Sequence, residues 1–365
     1  MALKCGIVGL PNVGKSTLFN CLSKAKAQSA NFPFCTIEPN VGIIPVPDER
    51  LEQLSSLVNP EKIIQTTVEV VDIAGLVKGA SKGEGLGNKF LANIKETNAI
   101  VHVLRCFDDD NIVHVDGSVD PVRDKEIVDV ELQLKDLETL KKYYDKNIRT
   151  AQSGDNDAKK NIEIIQKYIS ALENGVSVRN IESIESEKKL ISTLQLITDK
   201  PVLYLCNVDE SSIKDGNKYV TAVKENVKNE DVEVLVLATA IESDIADFDQ
   251  KEEQLLFLDE LGLKEPGVNY LLRSIYKLLD LQTYFTAGQK EVRAWTIKKG
   301  TKAPQAAGVI HSDFEKGFIR AEVISYSDYI QFASEQSCRD AGKLSVEGKD
   351  YVVKDGDVIH FRFNV

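Results

Sequence analysis

Gly9-Leu10-Pro11-Asn12-Val13-Gly14-Lys15-Ser16-Thr17 follows the apolar run Leu3 to Val8 and precedes Leu18, Phe19 and Leu22 at helical spacing. The run reads as a buried first strand, and the spaced residues as the inner face of a helix. A glycine-bounded turn between strand and helix aims successive backbone N–H groups at one point, where the helix dipole also favours negative charge. The pattern G-x-x-x-x-G-K-[ST] adds a lysine that reaches outer phosphates and a hydroxyl that ligates Mg²⁺. The expectation is a phosphate loop in which Asn12, Val13, Gly14, Lys15, Ser16 and Thr17 cradle a nucleoside triphosphate.

Length and composition bound the rest. At about 150 residues per domain, the 365 residues predict two or three domains. No apolar run approaches the roughly 18 residues of a membrane span, and the N-terminus shows no charged start followed by an apolar stretch. The six cysteines (Cys5, Cys21, Cys35, Cys106, Cys206, Cys338) form no C-x-x-C pair, and most sit in apolar runs. They read as buried free thiols of a cytoplasmic protein. A net charge of −12 argues against a chain that coats nucleic acid all over, while permitting a local basic face.

A second phosphate-sensing element follows. The β-branched run Gln65 to Val71 leads into Asp72-Ile73-Ala74-Gly75. An aspartate ending a strand in this position holds Mg²⁺, usually through water. Gly75 lets its N–H approach the γ-phosphate without a Cβ in the way. The glycine-rich run Lys78 to Gly87 reads as a switch loop leading into a helix from about Gly87 to Thr97. Between the two motifs, Asn31-Phe32-Pro33-Phe34-Cys35-Thr36-Ile37-Glu38-Pro39-Asn40 reads as a first switch. Its Thr36 would offer hydroxyl and carbonyl to Mg²⁺ when the γ-phosphate orders the segment. The metal set is then Ser16, Thr36 and Asp72.

Together the runs N-F-P-F-C-T-I-E-P-N, D-I-A-G-L-V-K-G-A and G-E-G-L-G-N resemble the YchF/Obg-like ATPase family of TRAFAC P-loop proteins. The resemblance covers essentially the whole chain. The strand Pro201 to Cys206 delivers Asn207-Val208-Asp209-Glu210 where a GTPase carries N-K-x-D. The GTPase aspartate accepts two guanine N–H bonds, whereas adenine presents an acceptor at N1 and a donor at N6. Val208 for lysine and Glu210 for aspartate argue for ATP, as the resemblance implies. Asn207 would meet the base edge and the backbone around Val208 would complete recognition. A relaxed site accepting both nucleotides stays open.

Hydrolysis needs a water placed in line with the γ-phosphate. Leu76 stands where Ras-like proteins carry glutamine and cannot orient one. His114, in Asp108 to Asp116 beyond the strand Ala99 to Cys106, lies at the strand end where ligands bind in open α/β sheets. The resemblance points to the same loop. A solvated loop histidine is the alternative.

Val130, Leu134, Leu137, Tyr144 and Ile148, then Ile162, Ile165, Ile169 and Leu172 after a polar turn at 154–157, read as an antiparallel helical hairpin. Near Leu281 the chain changes to short strands. In the last stretch Ile359, Phe361 and Phe363 face one way, His360 and Arg362 the other. This portion resembles a TGS module, a ubiquitin-like β-grasp. Between Lys290 and Arg320 seven Lys or Arg stand against three Asp or Glu, punctuated by Trp295 and Phe314. That pattern suits RNA contact if the aromatics are exposed, and an ordinary core if they are not.

The fold expectation is α/β: a P-loop NTPase domain with a mixed, mainly parallel sheet (1–127 and 200–280), a helical insertion (128–199) and a C-terminal TGS domain (281–365). The functional expectation is a slow, Mg²⁺-dependent ATPase with Lys15 and His114 catalytic. The resemblance implies ribosome binding (70S and large subunit) or rRNA contact through the TGS module and helical arm, with neither membrane nor DNA as partner. A GTPase of ribosome assembly and a scaffold with incidental hydrolysis stay open.

Overall fold

The computed structural model describes residues 3–28, 40–73, 86–115, 117–248 and 250–364. The chain begins β1 Lys4–Val8, α1 Lys15–Gln28, β2 Val41–Pro45, α2 Glu49–Val58, β3 Ile63–Ile64, β4 Thr67–Asp72, α3 Leu86–Lys95 and β5 Ala99–Arg105. It continues α4 Pro121–Gln152, α5 Asn156–Glu173, α6 Glu185–Leu194, β6 Val202–Asn207, α7 Lys218–Asn226, β7 Glu233–Leu237, α8 Thr239–Asp247, α9 Lys251–Glu260 and α10 Gly267–Leu278. The last portion holds β8 Leu281–Ala287, β9 Val292–Lys298, α11 Ala303–Ile310, α12 Ser312–Lys316, β10 Phe318–Ser325, α13 Tyr326–Phe332, α14 Glu335–Asp340, β11 Ser345–Glu347 and β12 Asp357–Phe363. Two compact units result: Met1–Gly42 with Glu69–Val268, and Ile43–Val68 with Asn269–Val365.

The first unit is a P-loop NTPase fold. Its sheet has the order β2-β4-β1-β5-β6-β7. β1 pairs in parallel with β4 and β5, β5 with β6, and β6 with β7. Strands covered on both faces read as unbroken apolar runs, and every residue of β5 and β6 is buried. Parallel order sends the carboxyl ends of β1, β4, β5, β6 and β7 to one edge. The cysteines at 5, 21, 106, 206 and 338 are buried free thiols, and burial pushes the Cys5 thiol up to about 12. Cys35, like Thr36, Gly75 and Leu76, lies outside the described residues. Among the described residues no helix is long and apolar enough to cross a membrane.

The helical hairpin is present, with a seam that differs from the one its periodicity predicts. α5 is as expected, with Ile162, Ile165, Ile169 and Leu172 buried. On α4, however, Val130 and Leu134 are 49% and 42% exposed, while Val128, Leu132 and Leu140 are buried. α4 packs on β5 and α7 as well as on α5, and Lys125 near its start lies 5.2 Å from the Tyr204 ring of β6, so the sheet helps set its inner face. Polar residues share that face and hide it from a hydrophobic pattern. Asp136 accepts from Ile197 N, Thr198 N and Thr198 Oγ1 at 2.7–2.8 Å. Buried Lys125 pairs with Asp129 at 2.9 Å and Glu230 at 3.4 Å. The arm's own core gathers Leu140, Ile165, Tyr168, Ile169 and Leu172 with Val178, Ile191 of α6 and Leu196. α4 starts at Pro121, N-capped by Asp120, ahead of residue 128 where the sequence suggests the insertion begins.

The second unit is the C-terminal β-grasp, a sheet of order β11-β10-β12-β8-β9-β3. β10 runs antiparallel to β11 and β12, and β8 to β9, whereas β12 pairs with β8 in parallel. Ile359 and Phe361 are buried and His360 and Arg362 exposed, as the alternation predicts. The segment 43–68 belongs here because Leu51 and Leu54 of α2 share a core with Phe285, Val292, Ala294 and Tyr329. Trp295 and Phe314 are partly buried against the core of Tyr284, Ala306 and Phe361. The Trp295 indole donates to Thr286 Oγ1 at 3.0 Å, and its face is covered by Arg293 at 3.8 Å. Both rings are thus engaged within the unit and do not stand out as stacking platforms.

Candidate active site

The phosphate loop leaves β1 through Gly9, where a Cβ would lie 2.5 Å from Val103 O on the neighbouring strand. At Gly14, φ is +98°, and a Cβ would meet Asn207 Nδ2 at 2.4 Å. Both positions therefore require glycine, for close approach at the first and for approach and backbone conformation at the second. Asn12 lies between them in the left-handed region with φ 62°. Lys15 is buried, and its Nζ donates to Leu10 O at 2.5 Å, folding the amine back over the loop. Burial pushes its pKa down to about 8, with Asp72 pulling the other way.

Asp72 ends β4, its backbone held by Asn40 O at 2.9 Å. Burial raises its carboxyl above the usual range, against the opposing pull of Lys15 and the Ser16 hydroxyl. Its Oδ1 is buried with no hydrogen-bond partner among the described residues. A buried, unpaired carboxylate oxygen costs roughly 1–3 kcal/mol or more unless a ligand satisfies it. Lys15 and the Ser16 hydroxyl thus act on the Asp72 carboxylate, whose Oδ1 still has an acceptor position to fill. Among the described residues no three His, Cys, Asp or Glu converge on a metal, so a cation here would draw its remaining ligands from elsewhere, such as phosphate oxygens.

At the end of β6, Asn207 is 3% exposed. Its Nδ2 donates to Val13 O at 2.9 Å and its Oδ1 accepts from Thr239 N at 2.9 Å. The side chain expected at the base edge therefore also straps the phosphate loop to the start of α8. Val208 is buried and its N–H is taken by Leu237 O at 3.0 Å. Glu210 is exposed and opens a short helical turn, 210–212. Thr239, which no sequence pattern flagged, completes the strap.

The loop after β5 is organised by Arg105, another residue without a motif. Its guanidinium is buried and donates to Phe107 O at 3.2 Å, Asp109 O at 3.1 Å and Ile112 O at 2.9 Å. It also lies 4.7 Å from the centre of the Phe107 ring. An arginine closing an apolar strand is the one signal the sequence offered. Asn12 Nδ2 donates to Val113 O at 3.1 Å, which ties this loop to the phosphate loop. His114 follows directly, yet its ring turns inward. Its Nε2 lies 2.8 Å from Asp124 Oδ2, and the two side chains are 7% and 2% exposed. It is not a solvated loop histidine, and its Nε2 is engaged by Asp124.

Comparison with known proteins fits this geometry. Residues 4–147 match a family described as 50S ribosome-binding GTPase, and residues 281–364 match a YchF C-terminal family described as a protein of unknown function. A protein of Escherichia coli O157:H7 named ribosome-binding ATPase YchF is 55% identical, with 100% of both chains covered. The Bacillus subtilis protein of the same name is 54% identical, again with 100% of both chains covered. The chain belongs to the YchF family. A solved structure titled as the Schizosaccharomyces pombe YchF GTPase is 40% identical and superposes with a TM-score of 0.90, covering 99% of this chain and 97% of that one. YchF proteins thus carry two nucleotide names, ATPase and GTPase, so the base pocket of this YchF member has to be read from its own residues.

Proposed function

We propose that this protein hydrolyses ATP with Mg²⁺, and that the nucleotide state controls its contact with the ribosome in the cytoplasm. The observation that carries the reading is the strap between the phosphate loop and the base-recognition strand end, Asn207-Val208-Asp209-Glu210, which carries no guanine-type aspartate at Glu210. Adenine's N6–H needs an acceptor, a role for the backbone around Val208, and its N1 needs a donor, a role for the Asn207 amide. Guanine would bring two N–H groups to a site without their usual carboxylate.

In the mechanism, the amides of Asn12 to Thr17 hold the phosphates, and Lys15 leaves Leu10 O for the outer phosphate oxygens. The Ser16 hydroxyl and Thr36 would ligate Mg²⁺, with Asp72 holding one of its waters. Bound there, the cation would neutralise charge on the β- and γ-phosphate oxygens. Gly75 senses the γ-phosphate by its N–H, and His114 orients the attacking water from the loop after β5. Release of γ-phosphate relaxes Thr36 and the glycine-rich switch. Ribosome contact falls to the helical arm and to the TGS module, where Lys298, Lys299 and Lys316 are exposed. The ribosome-binding name of the 54–55% identical relatives supports that partner. The test is ATP turnover with and without 70S ribosomes: stimulation in the parent and its loss in Lys15→Ala support the reading. Turnover in Lys15→Ala equal to the parent's removes it.

A further inference from the structure

The His114 loop presents a contradiction between its backbone and its side chain. The backbone is held against the phosphate loop by Asn12 on Val113 O and by Arg105 on Ile112 O, at 3.1 and 2.9 Å. The imidazole is instead turned onto Asp124, in the first turn of α4. A carboxylate only accepts, so Nε2 carries the proton and donates it to Oδ2. Asp124 is held in turn. Arg123 reaches its Oδ1 with Nη2 at 2.8 Å and Nε at 3.2 Å, and anchors itself on Ser118 O at 2.7 Å and Ser118 Oγ at 3.1 Å. Asp120 caps the helix on Arg123 N at 3.1 Å, and Pro121 sets its first turn. A carboxylate at a helix N-terminus is further favoured by the helix dipole.

We infer that Asp124 is a positioning residue that stores His114 in a resting orientation, and that displacement of the first turn of α4 releases the ring toward the phosphates. The inference rests on the reading that His114 orients the hydrolytic water. α4 gives the latch its handle. It runs 32 residues, about 48 Å in all, and Leu140, about 24 Å beyond Asp124, packs with Ile165 and Ile169 in the arm. A continuous helix packed along its length transmits a tilt at its far end to its first turn. A partner docked on the arm would thereby unlatch His114, which makes basal turnover slow and partner-stimulated turnover fast by the same contact.

The test compares Asp124→Asn, which keeps the side chain's shape, with His114→Ala and the double variant, all in the full chain. The expected result is an Asp124→Asn protein with parent KM for ATP and a basal kcat raised on the order of tenfold. The double variant should fall to the rate of His114→Ala. Folded Asp124→Asn with unchanged or lower basal kcat overturns the latch, as does a rise that persists without His114. A parental rate in His114→Ala alone overturns the water-orienting reading instead, so the two failures are separable. If Asp124→Asn does not fold, ¹⁵N-labelled histidine resonances of the parent decide. Loss of the carboxylate-bound Nε2 signal of His114 on adding ADP·aluminium fluoride and ribosomes supports the latch, and its persistence refutes it.

Discussion

Arg105→Lys isolates how the loop after β5 is built. The guanidinium serves three carbonyls, those of Phe107, Asp109 and Ile112, at 2.9–3.2 Å from one rigid fork. A lysine ammonium is a point charge that reaches one of them well, leaving about two acceptors without a partner. Each buried acceptor left unpaired costs about 1–3 kcal/mol, and the low end applies because Phe107 and Asp109 are only half-buried and Ile112 is exposed. With the lost stacking on Phe107, the sum is about 3 kcal/mol, roughly two orders of magnitude in the local opening equilibrium. Hydrogen exchange followed by mass spectrometry on peptides spanning 107–115 reads this directly, since Asn111 N and Ile112 N are bonded to Asp109 Oδ1 and O. Those amides should exchange about a hundredfold faster in Arg105→Lys, and faster still in Arg105→Ala, while β1 and β6 keep parent protection. ATP turnover should fall with the loop. A folded Arg105→Lys with unchanged exchange over 107–115 would refute the reasoning.

Three other outcomes follow from the same structure. Asn207→Ala leaves Val13 O and Thr239 N unpaired in a buried site, so ATP affinity should drop at least about tenfold in titration calorimetry, and an unchanged affinity would exclude the strap. Ile165→Ala opens the arm core at a cost of about 2–5 kcal/mol, melting α5 by circular dichroism while ATP binding persists. Glu322, 3% exposed, is held down to about 2 by Arg362 and Arg320. A carboxyl with a lowered folded pKa stabilises above its ordinary value of about 4.3 and loses that contribution as pH falls toward 2. The calorimetric gap between parent and Glu322→Gln should therefore be full at pH 7 and close as pH falls through that window, whereas a gap independent of pH would contradict the pairing.

What the sequence disclosed and what it hid divide along physical lines. β1, β5 and β6 were legible because both faces are covered, which forces unbroken apolar runs, and the phosphate loop because Gly9 and Gly14 are required by close approach. The β-grasp's last strand announced itself through the alternation of Ile359, Phe361 and Phe363. α4 misled because polar Lys125, Glu131 and Asp136 occupy its buried face, Lys125 paired with Asp129 and Glu230 and Asp136 with the backbone of Ile197 and Thr198. Periodicity counts apolar residues and misses a face closed by ion pairs and capped backbone. Arg105, Thr239 and Asp124 were hidden for a related reason: their roles are hydrogen bonds to main-chain groups or to a single partner, with no spacing to betray them. His114 was singled out by its loop, but the contact of its ring with Asp124 lies beyond any motif.

The most direct test is competition of unlabelled ATP and GTP against a fluorescent ATP analogue on the intact protein with Mg²⁺. Guanine's two unmatched N–H donors cost about 1–3 kcal/mol, so ATP should displace the probe at a concentration about 5- to 150-fold below GTP. Displacement by GTP at an equal or lower concentration would contradict the adenine pocket and, with it, the assignment of ATP as substrate.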